Sequence, residues 1–272
     1  MTNRISKKMP NGSGIGAGQT ATFNLPNGVT YHQLLFRIQA DLGAGVVDVP
    51  KASLGTVLGE IRLYIDGQET IRIDAADLAA ILTYKGQTVK DGALPLMFSD
   101  PAQRTPMGED APAIGTADIQ SLSLEVDIKA GVTSPSLVVY GLLGPNTPLG
   151  QFYAIKKYPF NVGNTGIREL QDLPRSDYHI TKMHISTDDI DSVQVEANQR
   201  ILRDFDRVVG AAAAIQTGKV WQTGWTHIDF TISDRLSDFL PMLLEDFRVR
   251  LDMTATGNFN LYTEEIRGRV AA

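Results

Sequence analysis

The sequence predicts a mainly β protein, built as two tandem β-sandwiches with a few short helices. Three observations carry that expectation. Apolar and polar residues alternate with a period of two along most of the chain, long helical stripes are missing, and the second half repeats the order of the first. Ile61, Leu63 and Ile65 alternate with Arg62, Tyr64 and Asp66; Asp66-Gly67 marks a turn, and Ile71 and Ile73 resume the pattern. Leu122, Leu124, Val126 and Ile128 form a second such run. Ile228, Phe230 and Ile232 form a third, and Phe247, Val249 and Leu251 a fourth. Each reads as a strand with one wet face, the mark of antiparallel sheets packed face to face.

Three helices are expected. Asp74 can cap one that runs through Leu78, Ile81 and Leu82 towards Gly86. A second covers Gln199 to Ile215, with Ile201, Leu202, Phe205, Val208, Val209 and Ala212 on one stripe. A third spans Asp234 to Glu245, burying Leu236, Phe239, Leu240, Leu243 and Leu244, with Pro241 bending or shortening it.

The repeat is visible residue by residue. Leu25-Pro26 followed by Tyr31-His32 and an apolar run recurs as Leu173-Pro174 followed by Tyr178-His179 and an apolar run. The stretch Ile61 to Leu82 matches Val193 to Ala214, and Leu122 to Leu143 matches Phe247 to Ile266. The offset shrinks from about 148 residues to about 125, which indicates a divergent duplication and not a solenoid. The surplus falls in Asp41 to Thr56, read as a loop insertion. The turn-forming stretch Gly144 to Gly150 separates the halves, giving domains over 19–146 and 147–272. Each is the right length for a sandwich or jelly roll. Residues 1–18 read as a flexible N-terminal arm. Its glycines Gly12, Gly14, Gly16 and Gly18 precede a strand, which excludes the phosphate-cradling fingerprint, and Arg4, Lys7 and Lys8 suit an anionic surface such as lipid headgroups.

Composition narrows the function. The 272 residues are 43% hydrophobic and 21% charged, with a formal net charge of −6. An acidic chain without a basic tract is a poor direct nucleic-acid binder. No apolar run reaches the ~18 residues that cross a bilayer, and the N-terminus lacks the pattern of a secretory signal. Cysteine is absent, removing disulfides, thiolate metal ligands and thiol nucleophiles together.

No catalytic constellation emerges. The histidines are His32, His179, His184 and His227. His179 and His184, five apart on a strand, point to opposite faces and cannot share a metal. His32 and His179 hold equivalent places after tyrosine, which favours structural roles. Asp188, Asp189 and Asp191 form the densest acidic loop and could help bind calcium, although the spacing of an EF-hand is missing. Trp221 and Trp225 flank Gly224 and suggest either core packing or sugar stacking.

An ordered set of segments then resembles a known family. It comprises Lys157-Tyr158-Pro159-Phe160, Glu169 to Arg175, Tyr178-His179-Ile180, Met183-His184-Ile185, Ile228-Asp229-Phe230 and Leu243 to Asp252, with Ala17-Gly18-Gln19 and Asn24 to Tyr31 in the first half. The chain resembles the major capsid protein of corticoviruses, tailless icosahedral bacteriophages with an internal membrane. Asp41 to Thr56 and Ser99 to Thr116 lie outside the resemblance. It implies an all-β double jelly roll of two tandem eight-stranded barrels, non-enzymatic, forming a homotrimer with a pseudo-hexagonal footprint. Such trimers tile a virion shell over the membrane after assembly in the host cytoplasm. Vertex and membrane proteins are the expected partners besides the chain itself, and the N-terminal arm would touch the membrane. No cofactor is required; structural calcium is the one ion the resemblance brings into view. The alternative is a carbohydrate-binding pair of sandwiches using Trp221 and Trp225, and a hydrolase grafted on a jelly roll is the third reading.

Overall fold

The computed structural model describes residues 4–99, 110–170, 173–231, 235 and 238–268. The chain divides into two compact units, one of Met1–Thr83, Gln87–Ile155 and Gly268–Ala272, the other of Tyr84–Gly86 and Lys156–Arg267.

The first unit contains β1 (Ile5–Lys8), β2 (Thr20–Leu25), β3 (Thr30–Asp41), β4 (Val46–Asp48), α1 (Leu54–Val57), β5 (Leu58–Ile65), β6 (Gln68–Asp74) and most of α2 (Ala75–Tyr84). It continues with β7 (Ala93–Met97), β8 (Ile114–Gly115), β9 (Leu122–Ile128) and β10 (Thr133–Gly144). One sheet runs β1–β10–β3, with β4, β7 and β8 sharing the far edge of β3; the other runs β2–β9–β5–β6. Inward residues such as Phe23, Phe36, Ile61, Leu63, Leu124 and Val139 are buried. The outward neighbours on β2, β5 and β9 are mostly polar, as the period-two pattern requires.

The second unit starts in β11 (Phe152–Val162) and holds β12 (Gly166–Leu170), β13 (Tyr178–Ile185), β14 (Ile190–Ala197), β15 (Arg200–Asp206) and α3 (Arg207–Gln216). It ends with β16 (Thr226–Asp229), β17 (Leu240–Pro241), β18 (Phe247–Met253) and β19 (Gly257–Arg267). One sheet runs β12–β18–β14–β15; in the other β13 lies between β19 and β16, and β19 also borders β11. Leu170, Ile180, Met183, Val193, Ile228, Val249 and Leu261 belong to one apolar cluster to which both sheets contribute. Ignoring the short extra strands β4, β8 and β17, both units share one connectivity. The first strand neighbours the eighth, the eighth the third and the third the sixth, while the second, seventh, fourth and fifth form the other sheet. That wrapping of antiparallel pairs is the jelly roll.

The duplication extends to single hydrogen bonds. The buried Tyr31 phenol donates to the Pro26 carbonyl at 2.7 Å, and the Tyr178 phenol donates to the Pro174 carbonyl. Burial pushes both phenols upward, so they remain donors. The β5–β6 turn places Asp66 and Gly67 at φ of 50° and 77°, and the β14–β15 turn places Asn198 and Gln199 at 47° and 63°. These left-handed pairs give the tight hairpin its twist. Asp66 Oδ1 accepts from the Gln120 and Ser121 amides; Asn198 Oδ1 accepts from the Glu245 and Asp246 amides. Each hairpin also bulges at the same place, between Leu63 and Tyr64 and between Val195 and Glu196.

Several sequence expectations need correction. Residues 200–206, expected as the start of a helix, form strand β15, because Asp206 is the N-cap: its carboxylate accepts from the Val209 amide at 2.8 Å. The helix expected over Asp234 to Glu245 does not form among its described residues, since Leu240–Pro241 pairs with His179 and Ile180; Ile232, Asp234 and Leu236 lie outside the described residues. Ile5–Lys8, inside the segment expected as a flexible arm, pairs with β10. Gly14, at φ of 72°, lets the following chain fold back against Thr20, where a Cβ would strike the backbone. The expected loop Asp41 to Thr56 adds β4 to the sheet and buries Val49 and Leu54.

Tyr31→Phe and Tyr178→Phe are each expected to cost about 1 kcal/mol, the usual net worth of one such bond, and to add in the double variant. Denaturant unfolding measures this; an unchanged midpoint in either variant would show that its phenol makes no stabilising bond.

Candidate functional site

The four histidines go to different places. His32 is buried on β3, with Nδ1 3.2 Å from Asp110 Oδ1, an oxygen that also receives Arg4. His179 packs against the Phe239 ring. His184 and His227 are brought together, which no sequence spacing announced. They sit directly opposite each other on β13 and β16, and their Nδ1 atoms are 2.7 Å apart.

Around this pair the second unit assembles a buried polar group. Lys85, just beyond α2, sits 2.7 Å from Glu264 Oε1 on β19, and that oxygen is 3.4 Å from His184 Nε2. Tyr84 stacks on His227 with centroids 4.0 Å apart, Trp225 lies parallel to the same ring, and Trp221 meets it edge-on. Nearby, Lys182 donates to Thr231 and lies 3.7 Å from Asp229, to which the Tyr84 phenol donates.

The geometry sets the proton positions. With His184 Nε2–H directed at the Glu264 carboxylate, its Nδ1 is bare and accepts from His227 Nδ1–H, so both rings are neutral. Burial lowers the His184 pKa and drives that of His227 to about 2. Burial opposes the charge on Glu264, but Lys85 and His184 hold its carboxyl well below the usual range. With His184, His227 and Glu264 all under 3% exposed, no substrate reaches them. The group is an internal polar strut.

Of the loop aspartates, Asp188 and Asp189 have side-chain partners. Asp188 accepts from Arg207 at 2.8 Å, and the Thr187 hydroxyl donates to Asp189. The Gly224 backbone, with Arg207 beside it, holds the Asp188 carboxyl below its ordinary range. Among the described residues no three His, Asp or Glu side chains gather as metal ligands. Trp225 is buried and Trp221 half-buried, so neither is an exposed stacking platform. Lys7 and Lys8 border an open pocket of about 410 Å³ floored by Met9, Val29, Tyr31 and Leu143.

The surfaces are more informative than the interior. Outward faces carry ion-pair lattices: Arg62 lies 2.7 Å from Asp127 and 3.2 Å from Glu125, and Arg250 lies 3.2 Å from both Glu169 and Glu196. Such half-exposed pairs contribute little individually and keep a sheet face wet. Against them stand two apolar groups, Leu42, Val46 and Val47 at the β3–β4 hairpin, and Ile201, Val208, Val209 and Ile215 on β15 and α3. The first group falls in the insertion read as a loop and the second mostly in the stripe expected for one helix; the sequence pointed to these segments as contact regions without naming these residues as a surface. Ion-paired faces interrupted by bare apolar patches suit a protein that binds other proteins.

Acidification is expected to weaken the second unit. Below about pH 6.5 the unfolded chain protonates His184 and His227 while the folded one resists. Stability present above that pH is therefore lost on acidification, at up to about 1.4 kcal/mol per pH unit for each ring. Thermal unfolding between pH 7.5 and 5 tests this, with His227→Phe expected to flatten the dependence; an equal slope in the variant would show that His227 does not contribute.

Comparison with known proteins follows the same line. The family described as viral coat protein P2, N-terminal domain, matches residues 6–144, and its C-terminal domain matches residues 152–268. No curated protein matches by sequence. Among solved structures, the major capsid protein P2 from bacteriophage PM2 is similar with a TM-score of 0.88 and 19% identity, over 98% of each chain. The STIV MCP gives 0.69 at 11% identity, over 97% of this chain and 96% of that one. PBCV-1 VP54 gives 0.65 at 11%, over 98% and 95%. With two jelly rolls and both family domains matched in order, the chain belongs to the viral coat protein P2 family: it is a structural, non-enzymatic major capsid protein of the corticovirus type, a component of the virion shell.

Proposed function

We propose that three copies of this chain form a capsomer with a pseudo-hexagonal outline, and that these capsomers tile an icosahedral shell over an internal membrane. The observation that carries this reading is the duplication. Each chain supplies two jelly rolls of identical connectivity, so three chains present six similar rolls around one axis. Exposed apolar residues on β15 and α3 supply contact area within the trimer, while the ion-paired sheet faces suit weaker contacts that permit tiling. Vertex and membrane proteins of the virion complete the shell. Of the N-terminal cations, Arg4 is held by Asp110, leaving Lys7 and Lys8 for an anionic membrane surface. The carbohydrate-binding alternative lacks its platforms, since both tryptophans pack on His227.

Light scattering of the purified chain is expected to give a stable species near three times 29.6 kDa. A strict monomer across conditions overturns the capsomer. A trimer that survives a chelator needs no cofactor for assembly, and one lost on chelation places structural calcium at its contacts.

A further inference from the structure

The two repeats differ at one sheet edge. In the first unit the edge of β6 is covered: Ile71 forms a parallel bridge with Ile155, and Ala154 and Ile155 are both buried. In the second unit the equivalent strand is β15. The position of Ile71, opposite Leu63 and next to the bulge, is held there by Arg203, opposite Val195 and next to the same bulge. Among the described residues the outer edge of β15 has no partner strand.

The covering segment also has a duplicate. Ile155 belongs to Ala154-Ile155-Lys156-Lys157-Tyr158-Pro159, and the chain holds a related sequence in Ile5-Ser6-Lys7-Lys8-Met9-Pro10. Both sit at the first strand of their jelly roll, β11 and β1, so Ser6 corresponds to Ile155 and Ile5 to Ala154. Ala154 is fully buried, yet Ile5 is 55% exposed on β1, the outermost strand of its sheet.

The surface beside the open edge is apolar where its counterpart is not. Helices α2 and α3 follow equivalent strands, but their outward positions differ: Ala76, Asp77 and Thr83 on α2 become Val208, Val209 and Ile215 on α3. The last three are 77%, 55% and 61% exposed. The inward positions of α3 are Gly210, Ala213 and Ala214, and the Phe205 ring packs so closely on Gly210 that a Cβ there would strike it. A cavity of about 170 Å³ remains there, lined by Tyr84, Arg203, Phe205 and Val209.

We propose that the N-terminal strand of a second copy of this chain docks in parallel on the β15 edge, Ser6 bridging Arg203 as Ile155 bridges Ile71, with Ile5 covered as its counterpart Ala154 is. Backbone hydrogen bonds supply the pairing, and apolar surface is covered beside it, the usual division of work in strand addition. The contact is heterologous: every copy donates one strand and receives one, so it closes only as a ring. It rests on the trimer reading above and names the strand that holds the trimer together.

The test uses the absence of cysteine. In the double variant Ser6→Cys/Arg203→Cys the only thiols lie at the proposed bridge, within the Cα separation of about 4.4–6.8 Å that a disulfide spans. Mild oxidation is expected to give a covalent trimer on a denaturing, non-reducing gel, with both single variants running as monomers. Trimers by light scattering that yield no covalent trimer, or only an intramolecular bond, overturn the strand contact and leave the trimer standing. A wild-type chain that is monomeric overturns both. Arg203 also donates to the Asp229 and Phe230 carbonyls, so a misfolded variant is detected by circular dichroism. Ile5→Asp then decides: it is expected to weaken trimer association at least about tenfold, 1.4 kcal/mol, with unchanged secondary structure, and unaltered association overturns the proposal.

Discussion

Everything in this fold depends on keeping strand register without a covalent tie. A slip of one residue would turn every apolar side chain of a strand outward and every charge inward. With no disulfide available, register is held by side chains that grip the backbone of another strand. Asp66 and Asn198 do this at the hairpin turns, each accepting two amides at the entrance to the neighbouring strand β9 or β18. The fourth and fifth strands are thereby fixed to the seventh. The tyrosines at 31 and 178 perform the matching task at the start of the third strand.

The two rolls have diverged further elsewhere than at these ties. In the second unit, β13, β16 and β19 bury Lys182, His184, His227, Asp229, Glu264 and Glu265. Removing such groups from water is costly unless each finds a partner, and leaving one unpartnered costs more than the pair contributes. The cluster is therefore sensitive to single substitutions and gives the unit a unique arrangement: Lys85, Glu264, His184 and His227 form one chain of contacts, and no member can be moved alone.

The outline of the fold was legible where a strand has one wet face. Residues 61–65, 122–128 and 247–251 show an alternation that matches only a strand, and all three are strands. The helix after Asp74 was legible from its cap. The stretch from 199 to 215 misled because Ile201, Leu202, Phe205, Val208 and Val209 fit a helical stripe while an edge strand and a helix follow each other there. The cap at Asp206 was the overlooked signal. The N-terminal strand was hidden by its glycines, which serve the turn behind it and not disorder. The histidine pair was illegible in principle: its members are 43 residues apart and meet only because β16 is laid beside β13.

The unequal helices α2 and α3 carry a consequence for shell geometry. In the proposed ring of three chains the rolls would repeat six times, but a roll with a polar helix face would alternate with one whose helix face is apolar and covered within the ring. The ring would look hexagonal in outline while its chemistry returned to itself only after a third of a turn. A neighbour approaching the rim would meet two kinds of roll in strict succession, and a half-step rotation would present it with the wrong one. Duplication followed by divergence would thus turn a shape that fits in six orientations into one that fits in three.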